Sequence, residues 1–286
     1  MSDPSWNEAT PPTYPRAGAA RIALAVVRLV LVLGLTLTLL AAFVTVKGAE
    51  RVFPGLRRLR NRIASAWGRS VARALGIRVV SIGAPIPQGG AIVANHSSWT
   101  DILVLLAATR VTFVSKAEVR NWPGIGIMAR AADTLFIERR RSHAKRQEQE
   151  MKARIAAGQH LLFFPEATST DGRRVIPFKS TLFSVFFTPE LKESVWVQPV
   201  SVVYRARPDG GRPLDFYGWW GDMDFGSHIW VLLTRSFGGT ATVVFHPAVR
   251  AADFAHRKAL AAYCDSAVRQ GLEDHVGPAP TPITER

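Results

Sequence analysis

One cysteine, Cys264, stands in 286 residues. No intrachain disulfide can form, which fits a reducing compartment. Its neighbours Leu260 to Asp265 read as one face of a helix, so burial suits this thiol better than reactivity. Cysteine and histidine clusters at zinc-ligand spacing are missing, which argues against a metal site. No internal repeat is visible. Acidic residues are scarce, 22 against 36 lysines and arginines, giving a net charge of +14 and a pI near 10.9. Such a balance suits an anionic partner, either nucleic acid or a lipid surface. The chain has neither an RNA-binding aromatic signature nor a recognisable DNA-reading helix. Its basic residues flank an apolar stretch, which favours membrane lipids over nucleic acid.

That stretch runs from Ile22 to Val46 with Arg28 as its only charge. The 18 uncharged residues from Leu29 to Val46 lie at the lower limit for a spanning helix. A re-entrant or monotopic helix fits equally. A cleaved signal peptide fits poorly, because the run begins late and leads into basic residues. After it, Phe53, Leu56, Leu59, Ile63, Trp67, Val71 and Leu75 recur at helical steps, with Arg57, Arg58, Arg60 and Arg62 on the other face. This reads as an amphipathic helix at the headgroup level, or as one packed on the domain. Residues 22–75 are thus the expected membrane anchor. The arginines after the apolar run put the following domain in the cytoplasm. Residues 1–21 and 272–286, the latter with Gly277-Pro278-Ala279-Pro280-Thr281-Pro282, are expected to be flexible.

The domain proper is expected over 76–271. Apolar runs at 77–82, 91–94, 111–114, 134–137, 160–164, 195–204 and 240–245 alternate with helical patterns at 100–107, 123–131, 142–157 and 253–271. The 142–157 helix is highly charged and should be solvated. Strands alternating with helices predict an α/β fold. The expected sheet is mixed and mostly parallel, with about seven strands covered by helices.

Chemistry concentrates in Asn95-His96-Ser97-Ser98-Trp99-Thr100-Asp101, just after the buried run Ala91–Ala94. A turn there can fold the Asp101 carboxylate onto the His96 imidazole. One ring nitrogen is then a fixed donor, and the other can take a proton from a hydroxyl. The residues alone also allow a surface histidine beside a helix cap. Ser97 and Ser98 lack the Gly-x-Ser-x-Gly setting of a hydrolase nucleophile. Three later segments bear on the choice: Asp133-Thr134-Leu135-Phe136-Ile137-Glu138-Arg139, Leu161-Leu162-Phe163-Phe164-Pro165-Glu166-Ala167-Thr168-Ser169 and Val197-Gln198-Pro199-Val200.

In order and spacing, these four segments resemble the motifs of the glycerolipid acyltransferase family that includes bacterial 1-acylglycerol-3-phosphate acyltransferases, over roughly residues 75–205. The resemblance implies His96 as catalytic base and Asp101 as its partner. It implies substrate-binding roles for Arg139, Glu166, Thr168 and Pro199, and for Lys116 between the first two motifs. Each has a structural alternative: a solvated basic turn at Arg139, a cap at Glu166, a local turn at Thr168, a bulge at Pro199 and a surface charge at Lys116.

Two positions depart from the family pattern. Ala167 stands where glycine is usual, tolerable at negative φ. Ser169 stands where arginine is frequent, which weakens a phosphate grip unless Arg173, Arg174 or Lys179 substitutes. Trp219-Trp220-Gly221-Asp222-Met223 and Pro177-Phe178-Lys179-Ser180 look like a proteobacterial branch with two acceptors. The implied function is a membrane-associated O-acyltransferase without a bound cofactor. Acyl-CoA or acyl-acyl-carrier-protein would be the donor, 1-acylglycerol-3-phosphate the first acceptor and lyso-ornithine lipid the alternative. A non-catalytic lipid-binding protein on the same fold, or a thioester hydrolase, are the rival readings.

Overall fold

The computed structural model describes residues 6–122, 125–138, 141–207 and 213–277. Its centre is an eight-stranded sheet. The strands are β1 Ile77–Ile82, β2 Gly90–Ala94, β3 Thr112–Lys116, β4 Leu135–Ile137, β5 His160–Phe163, β6 Trp196–Arg205, β7 Gly239–Phe245 and β8 Val249–Arg250. They lie in the order β1-β7-β6-β2-β5-β3-β4, with β8 also on β6. Only β7 and β8 run antiparallel to β6, and the other pairings are parallel. The mixed, mostly parallel sheet is therefore as expected, with the two-residue β8 added to the seven apolar runs.

Every residue of β2 is buried, as a parallel strand covered on both faces requires. Its side chains alternate between two cores. Ala91 and Val93 face one that contains Phe163, Phe183, Phe186, Leu260, Cys264 and Val268. Ile92 and Ala94 face the other, with Val71, Leu103, Leu105, Val202 and Leu232. The first face is covered by α5 (Arg141–Ala156), the 3-10 segment Ser180–Phe187 and α8 (Arg257–Val276). The second is covered by α2 (Arg57–Ala74), α3 (Asp101–Ala108) and α7 (Phe225–Arg235). α2 and α3 touch closely at Gly68, where a Cβ would stand 2.5 Å from the Leu103 carbonyl oxygen. Two short helices, α4 (Ile125–Ala131) and α6 (Pro189–Lys192), complete the order. The charged α5 is not wholly solvated, because Met151 and Ile155 are buried beneath it.

The apolar helix α1 runs from Ala19 to Ala49, beyond both ends of the expected span. Arg28 does not dangle in it. Its guanidinium donates to the carbonyls of Leu232 (3.5 Å) and Leu233 (3.0 Å) near the end of α7 and lies over Phe237. Trp67 of α2 donates its indole N–H to Thr36 Oγ1 at 3.1 Å. Lys47 reaches the Ala131 carbonyl and, at 2.6 Å, Asp133. The opposite side of α1 is open: Val27, Val30 and Leu37 are 65%, 66% and 67% exposed. In α2, Val71 and the following Leu75 are buried, whereas Leu59 and the preceding Phe53 are exposed. The packed and surface readings of this helix each describe one half.

The N-terminal segment is not loose over its described part. Trp6 is buried against Trp220, and the Trp220 indole donates to the Ala9 carbonyl at 3.0 Å. Tyr14 stands edge-on to Phe216, and Arg235 bonds the Pro15 carbonyl. Aromatic anchors hold what composition alone suggested was a flexible leader. At the other end, α8 continues to Val276, past the expected boundary at 271, and residues 278–286 lie outside the described residues.

Candidate active site

β2 delivers Asn95 to the sheet's carboxyl edge. Asn95 imitates a further strand residue, donating through Nδ2 to the Val202 carbonyl (2.9 Å) and accepting the Val202 N–H (2.7 Å). This fixes the turn in which His96 sits. Its Nδ1 lies 2.7 Å from Asp101 Oδ2, the same oxygen that accepts the Ser97 and Ser98 backbone N–H groups at 2.8 and 3.1 Å. Tyr204 donates to the other oxygen, Oδ1, at 2.8 Å. Asp101 has no exposed surface and is in the first turn of α3, where the helix dipole favours a negative charge. Four donors and the dipole offset the cost of burying the carboxylate. His96 Nε2 remains for chemistry, on a side chain 22% exposed. The imidazole stacks on Phe164, centroid to centroid 4.1 Å and 14° from parallel. An orienting carboxylate behind a partly exposed imidazole can move one proton to and from a substrate hydroxyl.

The turn after β5 is tied to this one. Glu166 is fully buried, and its two oxygens accept the backbone N–H groups of His96 (2.7 Å) and Ile176 (3.0 Å). Burial pushes its carboxyl well above the usual range, against the lowering by those two N–H donors. Glu166 is thus placed as a brace under the histidine turn. Ala167 adopts φ 62°, in the left-handed region, so the condition under which alanine is harmless is not met. Thr168 is half-buried and Ser169 largely buried. Thr170 donates its N–H to the His96 carbonyl at 3.0 Å.

β2, β3, β4 and β5 are mutually parallel, so their carboxyl ends share one edge. Lys116 at the end of β3 is therefore on the same edge as His96 and Phe164. Arg139 follows β4 but lies outside the described residues. Pro199 is not brought to this edge. It is buried inside β6, paired with Val93, where the outer neighbour of β6 changes from β8 to β7. The missing N–H of a proline is harmless at such a break in the ladder. Among the described residues, no group of three His, Cys, Asp or Glu side chains is placed to hold a metal ion.

Several site residues carried no local signal. Tyr204 reaches Asp101 from 103 positions away. The Trp99 indole donates to His228 Nδ1 at 3.0 Å, and Trp99 and Trp219 both stand edge-on to Phe225 at 5.6 Å. Trp122 adds to this group against Trp219, whose backbone N–H donates to the Ser97 carbonyl at 2.8 Å. Only the amphipathic nature of tryptophan hinted at this aromatic cluster on the 97–99 stretch of the turn. A cleft open to solvent lies elsewhere, between α1, α2 and α4, lined by Leu39, Phe43, Trp67 and Met128 together with Arg60 and Asp133.

Comparison with known proteins gives consistent findings. The model of the family described as Acyltransferase matches residues 78–203. A lyso-ornithine lipid O-acyltransferase of Rhodobacter capsulatus is 45% identical over 278 residues, covering 95% of this chain and 98% of that protein. A 1-acyl-sn-glycerol-3-phosphate acyltransferase of Neisseria gonorrhoeae is 34% identical over 145 residues, covering 49% of this chain and 56% of that protein. The solved structure of the 1-acyl-sn-glycerophosphate acyltransferase of Thermotoga maritima aligns with a TM-score of 0.58 at 21% identity, over 84% of this chain and 95% of that chain, a likeness of fold.

Proposed function

The chain belongs to the acyltransferase family and acts on lysolipids; within that activity we propose that the acceptor is a lyso-ornithine lipid, the donor an acyl thioester and the base His96. The observation that carries the acceptor is the near full-length likeness to the Rhodobacter capsulatus protein, which extends over α1, α2 and the loops outside the shared motifs. The relative named for glycerophosphate aligns over about half of the chain.

Charge at the site supports the same choice. Ser169 stands where a phosphate-gripping arginine is frequent. Of the nearby cations, Arg174 is committed to Asp171 at 3.1 Å and lies over Trp6. Burial pushes the nearby Asp215 carboxyl up, the Asp171 charge adds to this, and Arg173 opposes it. A loop of mixed sign suits a headgroup with a carboxylate and an ammonium better than a dianionic phosphate.

In the reaction, His96 Nε2 removes the proton of the acceptor hydroxyl as its oxygen attacks the thioester carbonyl. Asp101 holds the ring and stabilises the imidazolium. Backbone N–H groups at the turns or Lys116 meet the charge on the tetrahedral oxygen. The intermediate expels the thiolate, which takes the proton back from His96. Acyl-CoA or acyl-acyl-carrier-protein supplies the thioester, and the family resemblance assigns Arg139 to the acceptor and Thr168 to substrate binding. The protein is membrane-associated, with a 31-residue apolar helix. We assign residues 22–75 as its anchor, at the inner bacterial membrane with the domain in the cytoplasm, because the arginines of α2 follow the apolar run.

The test is a competition between lyso-ornithine lipid and 1-acylglycerol-3-phosphate at matched acyl chain and surface concentration, with labelled acyl-CoA or acyl-carrier thioester. The ornithine product should dominate. Dominant phosphatidate would overturn the acceptor, and equal thioester loss without any lysolipid would make the protein a hydrolase.

A further inference from the structure

The carboxylate of the His96–Asp101 pair is held from both sides. Oδ2 receives His96 and two backbone N–H groups, all from the same turn. Oδ1 receives one donor, the phenol of Tyr204 near the end of β6. Thr100 Oγ1, next to Asp101 in the chain, donates back to Tyr204 Oη at 2.9 Å. We propose that Tyr204, oriented by Thr100, is a positioning residue for acyl transfer: its hydroxyl fixes the rotation of the Asp101 carboxylate and so the direction in which His96 presents Nε2.

The two hydroxyls form one chain, Thr100 O–H to Tyr204 O–H to Asp101 Oδ1. Donating bonds in series polarise each other, so each strengthens the next. All three side chains are buried, Asp101 and Thr100 without exposed surface. If Tyr204 were lost, Oδ1 would be a buried acceptor without a side-chain donor among the described residues. The carboxylate would then turn to find one, or leave its full charge on the imidazole. Burial first, and then the Asp101 charge, push the Tyr204 phenol well above its ordinary value, so it remains an O–H donor at any working pH. The ring has a separate task. It stacks on Tyr217 at 5.5 Å and 29°, a contact that phenylalanine would keep.

Four titratable side chains bond the 96–101 turn: Asp101 from α3, Tyr204 from β6, Glu166 from the turn after β5 and His228 from α7, which accepts the Trp99 indole N–H. Asp171 is the next carboxylate, on the loop that bonds the His96 carbonyl. Only Tyr204 can change the carboxylate without touching the histidine backbone. This inference rests on the reading of His96 as the base, so His96→Ala belongs in the same experiment.

Tyr204→Phe, Thr100→Val and His96→Ala would be compared with wild type in detergent, by kcat and KM against pH and by thermal unfolding. Tyr204→Phe should lower kcat about tenfold and leave the lysolipid KM within about twofold. The acid limb of its kcat/KM profile should move up by about half a pH unit or more, because a carboxylate relieved of a donor holds the imidazolium more tightly. Thr100→Val should move the same limb in the same direction by less. A drop in melting temperature and in rate with the acid limb unmoved would reduce Tyr204 to a packing residue and overturn the proposal. Unchanged kcat and profile would overturn it as well, while an inactive His96→Ala left the base in place. An active His96→Ala would instead remove the base reading on which the proposal stands. Should Tyr204→Phe fail to fold, the acid limb of Thr100→Val decides.

Discussion

His228 should make this protein lose stability as the solution is acidified, by an amount that can be worked from its surroundings. The imidazole, on α7, is 3% exposed. Its Nδ1 accepts the Trp99 indole N–H, and its Nε2 faces the Gly218 carbonyl outside hydrogen-bond geometry. Burial lowers it from 6.5 to about 4. Protonation in the folded state would also put a second donor against the Trp99 N–H. The unfolded chain takes up a proton as pH falls through 6.5, and the native state resists until about 4. The contribution of the neutral histidine is therefore fully present above 6.5 and is lost as pH falls toward 4. Between pH 7.5 and 5 the loss is about 2 kcal/mol. Glu166 works in the opposite direction. Its carboxyl is raised, so its destabilising charge is relieved on acidification. The raw pH curve mixes the two, and a difference between variants separates them. His228→Gln keeps an amide oxygen for the Trp99 indole and cannot titrate. Urea unfolding of wild type and His228→Gln in detergent, at pH 7.5 and pH 5, should show wild type losing about 2 kcal/mol more than the variant. Equal losses would refute the neutral buried histidine.

Two further outcomes follow from the backbone and the surface. Ala167→Gly should stabilise the protein by about 0.5–1 kcal/mol, since holding the left-handed region costs alanine about 1–2 kcal/mol, a strain glycine escapes, and the added freedom of glycine when unfolded takes part of the gain back. A thermal melt checks this, and a lower melting temperature would mean that the turn does not need positive φ at 167. Replacing Val27, Val30 and Leu37 together by glutamine should lower sedimentation with lipid vesicles at least about 100-fold in partition while sparing turnover in detergent, because each apolar side chain contributes about 1.5–3 kcal/mol when taken from water. Unchanged sedimentation would put the lipid contact on another face.

Periodicity made most of the fold legible. The run Ala91–Ala94 reads as a buried strand because both its faces are covered, and β2 is buried throughout. The helix α7 escaped because it follows a loop rich in tryptophan, glycine and aspartate, whose signals mask its Asp224 cap, a carboxylate accepting the Ser227 N–H at 2.7 Å. The N-terminal strap escaped for the converse reason. Proline and polar residues argue for a loose leader, and only Trp220, Phe216 and Arg235, all more than 200 positions away, make Trp6, Tyr14 and Pro15 fixed points. In the sequence Arg28 is only the single charge of an apolar run. Its partners are two carbonyls of α7, which no local pattern announces.

The same distinction runs through the site. The spacing of His96 and Asp101 allows their pairing without requiring it, and the resemblance of four motifs to a family supplies the rest; the structure places the two side chains 2.7 Å apart. The groups that decide how well the pair works come from elsewhere. Glu166 braces the histidine backbone from the end of β5, Tyr204 holds the far oxygen of the carboxylate from β6, and Asn95 pins the turn to Val202. Each depends on strand order, because β5 and β6 are the two neighbours of β2. Motif spacing along the chain cannot convey that adjacency, but it has a physical consequence. A substitution in β5 or β6 that shifts either strand by a fraction of a bond length reaches Nε2 through a carboxylate or a phenol. On the reading of His96 as the base, the direction of its Nε2 therefore depends on the registry of three strands as much as on the two residues that form the pair.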